Sequence, residues 1–226
     1  MIDDSRWAEL LFPGLPVEVV CVRAAEAADA EAELVAVEWA LVRDAVPARV
    51  RAFALGRRAA HRALARSKAP SGPILARADR APRWPAGFVG SIAHCEGIAI
   101  AAVARADAVQ GLGVDVEVAR GLPTDLWSRV LTPRERAALD ALPEAERQGA
   151  ALRVFCAKEA VYKAWSPRGQ RVIEFQDVEL AALPTAEVTC ATTAHVATPP
   201  RARADVRVGG DDVYVFAAAH LDFGAR

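Results

Sequence analysis

Three carboxylates and a lysine carry the clearest chemistry in this chain. Asp115 and Glu117 alternate with valines in Gly113-Val-Asp-Val-Glu117, and Glu159 and Lys163 stand four apart in Phe155-Cys-Ala-Lys-Glu-Ala-Val-Tyr-Lys163. In a strand with Val114 and Val116 toward a core, both acidic residues share the other face, their Cα atoms about 7 Å apart. Like charges so close repel, and burying both without a counter-ion would keep one protonated. A divalent cation removes the conflict, and hard carboxylate oxygens suit Mg²⁺, which completes its octahedron with water and substrate phosphates. The plain alternative is a solvated strand face.

On a helix, Leu152, Cys156, Glu159 and Lys163 fall at i, i+4, i+7 and i+11, one stripe that two apolar residues would otherwise turn inward. Buried there, the charges need partners, because an unpaired buried charge costs about 3–5 kcal/mol. Left exposed, they are an i, i+4 pair worth about 0.2–0.5 kcal/mol.

Cations recur upstream. Val46, Val50, Phe53, Ala60 and Leu64 follow a helical stripe in which Arg57 takes the missing place. Arg49 lies roughly 80° away around that helix, close enough to aim at a common ligand. Arg57 has two open readings, a snorkelling arginine paired with a carboxylate or an anion ligand. His94 falls at a strand end, where site residues commonly sit.

The elements that must position these groups read as follows. A strand is predicted at Val17–Val22, while the type of Ala24–Val37 stays open. Pro47 fits the first turn of a helix to about Arg66. A Pro/Gly/Arg-rich loop follows from Ser67 to Gly87, holding Trp84 between prolines. Gly87–Ile92 and Ile98–Ala104 read as strands joined by the turn His94-Cys-Glu-Gly97, and Leu112–Val118 as a third. Thr132-Pro-Arg-Glu135 is a capping box. The long helix runs from about Pro143 to Trp165 and stops before Pro167. Strands are then expected within Ile173–Leu180, Glu187–Thr192, Asp205–Val208 and Val213–His220. Two lobes of helices plus strands are expected to meet near Ala108–Gly111, residues 1–110 and 111–226.

Composition bounds the partners. A net charge of −1 over 226 residues argues against nucleic acid or an anionic membrane as a global partner, so any anion site must be local. The four cysteines are widely spaced in apolar runs, as reduced thiols would be. No signal peptide or membrane span is read, and the protein is expected to be soluble and cytoplasmic.

Three carboxylates, a lysine, arginines and a histidine are the parts that phosphoryl transfer needs: a metal at a pyrophosphate, cations at peripheral phosphates and a base. The residues alone point to a Mg²⁺-dependent enzyme acting on a phosphoanhydride.

Three stretches in order, Gly90-Ser-Ile-Ala-His94, Gly113-Val-Asp-Val-Glu117 and Phe155–Lys163, resemble the signature motifs of 4′-phosphopantetheinyl transferases. The length and the Arg80-Ala-Pro-Arg-Trp-Pro85 loop resemble the large, monomeric class of the surfactin and enterobactin type. The resemblance implies an α+β, pseudo-two-fold fold of two similar lobes, with coenzyme A between them and the adenosine end on the N-terminal side. It implies transfer of 4′-phosphopantetheine to a serine of an acyl or peptidyl carrier protein, with release of 3′,5′-ADP. Carried over residue by residue, Asp115, Glu117 and Glu159 would hold Mg²⁺, or Mn²⁺ in its place. Lys163 and Lys158 would contact coenzyme A, with Lys163 also assisting proton transfer. Arg49 and Arg57 would meet the 3′-phosphate, and Arg80 and His94 the phosphate chain. Glu117 or a metal-bound water is the implied base. The carriers would be those of polyketide, nonribosomal-peptide or siderophore synthesis, and the enzyme a monomer. The chain departs from the pattern at Ala93, where Ser or Thr usually precedes the histidine, and at Cys156, where Ser is common. Ala93 keeps open a homologue that binds coenzyme A or a carrier without turnover; a phosphohydrolase is the other rival.

Overall fold

Proline at a first helical position and an inner face of small residues shape the first half of the chain. The computed structural model describes residues 4–26, 29–166, 173–185, 189–197 and 202–222, and they divide into two units, Met1–Val109 and Gln110–Arg226.

The first unit runs through helix α1 (Asp4–Leu11), strand β1 (Val17–Arg23), the short helix α2 (Ala36–Trp39), helix α3 (Pro47–Arg66), the two-residue strands β2 (Leu75–Ala76) and β3 (Pro82–Arg83), and strands β4 (Phe88–Cys95) and β5 (Ile98–Arg105). The three long strands form an antiparallel sheet in the order β1-β5-β4. Helix α3 lays Ala54, Leu55, Ala59, Ala60, Ala63 and Leu64 on Val20, Val22, Ala99, Ala101 and Val103 of that sheet. With so many alanines the helix lies close to the strands, closest at Gly56, where a Cβ would stand 2.9 Å from the Ile92 side chain. Val46 departs from the expected stripe and is 68% exposed. It is the N-cap, in extended conformation, so the helical period does not reach it. The hairpin turn is tighter than expected: β4 continues through Cys95, which pairs with Ile98, and only Glu96 and Gly97 turn. Gly97 adopts φ +81°, a region that favours glycine.

The second unit contains strand β6 (Gly111–Val118), helices α4 (Trp127–Val130), α5 (Pro133–Asp140) and α6 (Glu144–Trp165), and strands β7 (Val178–Leu180), β8 (Thr189–Val196), β9 (Ala202–Gly210) and β10 (Tyr214–Asp222). Its sheet is antiparallel in the order β6-β10-β9-β8-β7. Helix α6 packs Val154, Ala157, Val161 and Trp165 into a core with Val206, Val208, Ala217 and Ala219. Burying each larger side chain contributes about 1.5–3 kcal/mol. The capping box of α5 forms as read, Thr132 and Glu135 each bonding the other's backbone N–H. Residues 175–177 are a 3₁₀ turn rather than strand, and Glu187 and Val188, expected in a strand, lie outside the described residues. The fold class is α+β, each unit being a long helix on an antiparallel sheet. No helix of the described residues is long and apolar enough to cross a membrane.

Candidate active site

Gly113 decides where the acidic strand meets the helix. A Cβ there would collide with the Ala160 carbonyl of α6, so the β6 face carrying Gly113 lies against the helix at backbone distance. Alternation then puts Asp115 and Glu117 on that same face. Their β10 partners, Ala217 and Val215, belong to the α6-facing core.

Lys163 Nζ lies 2.6 Å from Asp115 Oδ1. Asp115 is buried, and its Oδ2 has no hydrogen-bond partner among the described residues. Glu117, half-buried, has its carboxyl pushed up to about 7 by burial and by the nearby Asp115 and Glu159 charges, with Lys163 pulling the other way. Burial also raises Glu159, and Asp115 adds to it against Lys163. Burial alone would lower Lys163, but Asp115 and Glu159 outweigh it and raise it. Cys156, fully buried, lies 3.7 Å from the Val215 carbonyl, and burial plus Asp115 hold its thiol well above the usual range. Three carboxyls and one ammonium on two elements thus share one electrostatic field.

Among the described residues, no group of three or more His, Cys, Asp or Glu side chains is placed to hold a metal ion. Asp115 is instead engaged by the Lys163 ammonium. The donor chemistry still fits a hard divalent cation: the buried Oδ2 is unpartnered, and burial together with the crowding of like charges, which a cation would relieve, raises the neighbouring carboxyls.

The remaining expected residues fall in different settings. Lys158, expected at coenzyme A, is 1% exposed. Its ammonium meets Glu135 Oε2 at 2.7 Å and donates to the carbonyls of Val130 and Phe175 at 2.8 and 3.0 Å. Three N–H bonds meet three internal acceptors, so this lysine is built into the fold rather than offered to a phosphate. Arg57, also buried, lies with Nε 3.7 Å from Glu38 Oε1 and its guanidinium 4.3 Å from the Phe53 ring centre. Glu38 is fully buried and accepts from the Ile74 N–H at 2.8 Å, with His61 Nε2 2.9 Å away. Arg57 and His61 also line a cavity of about 690 Å³ in the first unit. The structure thus gives Arg57 a carboxylate neighbour, Glu38, one position past the stretch whose type the sequence left open.

Arg49 is exposed in the first turn of α3. Arg80 takes φ +67° in the turn joining β2 and β3. His94 is exposed on β4, its ring 3.8 Å from where a Gly56 Cβ would stand, beside Arg57 in sequence. Ala93 is buried and points to the opposite face of the strand, so a hydroxyl there would not lie on the side that His94 presents.

Comparison with known proteins identifies the family. Residues 37–104 match the 4′-phosphopantetheinyl transferase N-terminal domain, and residues 111–215 match the 4′-phosphopantetheinyl transferase superfamily. The chain is similar to the 4′-phosphopantetheinyl transferase Svp of Streptomyces mobaraensis, 42% identical over 66% of this chain and 61% of that one. It is 38% identical to the 4′-phosphopantetheinyl transferase PptT of Mycobacterium tuberculosis, over 63% of each. It is 36% identical to enterobactin synthase component D of Salmonella typhimurium, over 52% of this chain and 45% of that one. The matches thus span about three fifths or less of the length of these relatives.

Proposed function

Because the chain belongs to the 4′-phosphopantetheinyl transferase superfamily, we propose that it transfers the 4′-phosphopantetheine group of coenzyme A to a serine of an acyl or peptidyl carrier protein. The serine oxygen attacks the β-phosphorus of coenzyme A, the phosphoanhydride bond breaks, and 3′,5′-ADP leaves. The observation that carries the reading is the meeting of Asp115 and Glu117 with Glu159 and Lys163 across β6 and α6.

Asp115, Glu117 and Glu159 would hold Mg²⁺, which supplies neutralisation of the pyrophosphate. Glu117 is the proposed base, its carboxylate taking the serine proton. Lys163 turns its ammonium to the phosphate oxygens, where it meets charge that builds as the bond breaks. Arg49, Arg57, Arg80 and His94 of the first unit are the proposed contacts to the coenzyme A phosphates, Arg57 with part of its charge already met by Glu38. Reduced, widely spaced cysteines support a cytoplasmic setting.

The test is the intact mass of an apo carrier protein after incubation with this protein, coenzyme A and Mg²⁺. A gain of one phosphopantetheine, lost on adding EDTA, is expected, together with about a 10²–10³-fold loss of rate in Asp115→Ala and Glu159→Ala. Normal turnover in either variant, with its thermal melt unchanged, overturns the residue assignment. No gain with several carriers overturns the transferase reading.

A further inference from the structure

A second, smaller cavity of about 210 Å³ opens beside Glu159. One side is α6, through Lys158, Glu159 and Tyr162; the other is the segment Ile173 to Val178. That segment forms one 3₁₀ turn, capped by Glu174 and Asp177, and reaches the sheet at β7.

Ile173, Phe175 and Val178 anchor it to the apolar core, and a buried polar network centred on two side chains, 2% and 1% exposed, ties it to three other stretches of chain. Glu135 Oε1 accepts the Leu180 N–H at 2.9 Å, and Oε2 accepts the Thr132 N–H at 2.8 Å while meeting Lys158 Nζ at 2.7 Å. Lys158 in turn donates to the Phe175 carbonyl, inside the cavity wall, and to the Val130 carbonyl at the end of α4. Gln176 adds a bond to the Leu131 carbonyl at 2.8 Å. Four separate stretches of chain, 130–135, 158, 175–176 and 180, are thereby held in one arrangement.

Stability alone does not explain the pair. A buried ion pair is often no better than apolar groups of the same volume, because desolvation offsets the attraction. Its place explains it better: Lys158 adjoins Glu159 in sequence and bonds the wall facing it.

We propose that Glu135 and Lys158 are a positioning pair for the transfer reaction, holding the wall from Ile173 to Val178 at a fixed distance from Glu159, with Lys158 making no contact to coenzyme A. The inference rests on the transferase reading above. It places Glu135, which the sequence explains fully as a capping residue, in a second role.

The experiment compares the full chain with Lys158→Met, Glu135→Gln and the double variant. Three quantities are read: coenzyme A affinity by calorimetry, kcat and KM for transfer to an apo carrier protein, and deuterium uptake over residues 173–180. Each single variant leaves one buried charge unpaired and should lower kcat about tenfold or more, while coenzyme A affinity stays within about threefold. Uptake at Leu180 should quicken in each. The double variant removes both charges and should regain at least about threefold in kcat over either single, a coupling that independent sites do not show. If the singles do not fold, affinity and uptake in the double variant decide alone. Lys158→Met weakening coenzyme A by about tenfold or more, whatever stands at 135, would make Lys158 a phosphate ligand and overturn the proposal. So would unchanged kcat and unchanged uptake in both singles. Absence of transfer by the wild-type chain would instead remove the transferase reading, with affinity and uptake still judging the pair.

Discussion

At Glu117 the cost of crowding three carboxylates becomes measurable as pH dependence. Its carboxyl stands at about 7 in the folded chain against an ordinary 4.5. Between those values the native state binds more protons than the unfolded one, so this group's contribution to stability is greatest below about pH 4.5, falls as pH rises and is flat above about 7. The gap corresponds to at most about 3 kcal/mol, less for the part of the carboxyl that water reaches. In EDTA, wild type should therefore lose stability relative to Glu117→Gln between pH 4.5 and 8, by up to that amount, as read from urea melts. With Mg²⁺ added, the wild-type loss should shrink at high pH and the variant change less. Parallel curves would mean that Glu117 is solvated after all. Arg80 offers a second test. A non-glycine residue in the left-handed region is strained by about 1–2 kcal/mol, and Arg80 stands there at φ +67°. Arg80→Gly should raise the melting temperature while weakening coenzyme A, because strain and the proposed phosphate contact belong to one residue. A stability gain with unchanged affinity would leave Arg80 a turn residue only.

Elements explain why some of these residues were legible in the sequence and others were not. The stripe of Leu152, Cys156, Glu159 and Lys163 was readable because a helix fixes its angular spacing, and the Asp115/Glu117 face because a strand alternates. Neither pattern reveals a partner across the fold. Glu135 and Lys158 are 23 positions apart, and each has an adequate local explanation, a capping box and a site of phosphate contact, so nothing local calls for the other. Glu38 was invisible for a different reason: it lies between the stretch left open and the helix from Pro47, and its carboxylate meets Ile74 and His61, far away in sequence. Gly113 could be read only as part of a motif, yet it sets the approach of α6 to β6. Gly113→Ala should destabilise the protein by more than about 3 kcal/mol, because the obstacle is backbone that cannot rotate aside. Gly149→Ala, on the same helix, is the control. A Cβ there meets nothing nearer than the Arg153 guanidinium at 3.6 Å, and the helix should gain about 0.5–1 kcal/mol. Chemical melts that gave both substitutions the same sign would show that close packing at Gly113 is not what joins the two elements.

At the scale of the whole molecule, each unit carries its own apolar core, and neither has a disulfide to staple it. All four cysteines are thiols, but they are not equivalent. Cys21, Cys95 and Cys190 are half-buried, whereas Cys156 is fully enclosed within α6 with its thiol pushed well above the usual range. Thiolate is the reactive form, so enclosure and raised pKa act in the same direction and protect Cys156 twice over. Alkylation with N-ethylmaleimide under native conditions, followed by peptide mass analysis, should modify Cys156 last, and only at the rate at which the second unit opens. Mild denaturant should bring all four into reach. Because that opening exposes the strand and helix that hold Asp115, Glu117, Glu159 and Lys163, labelling at Cys156 should track loss of transfer activity, whereas labelling at Cys21, which belongs to the other unit, should not. Early modification of Cys156 with activity intact would mean that the helix carrying Glu159 is not held as tightly as its packing implies, and the case for a preorganised site would fail with it.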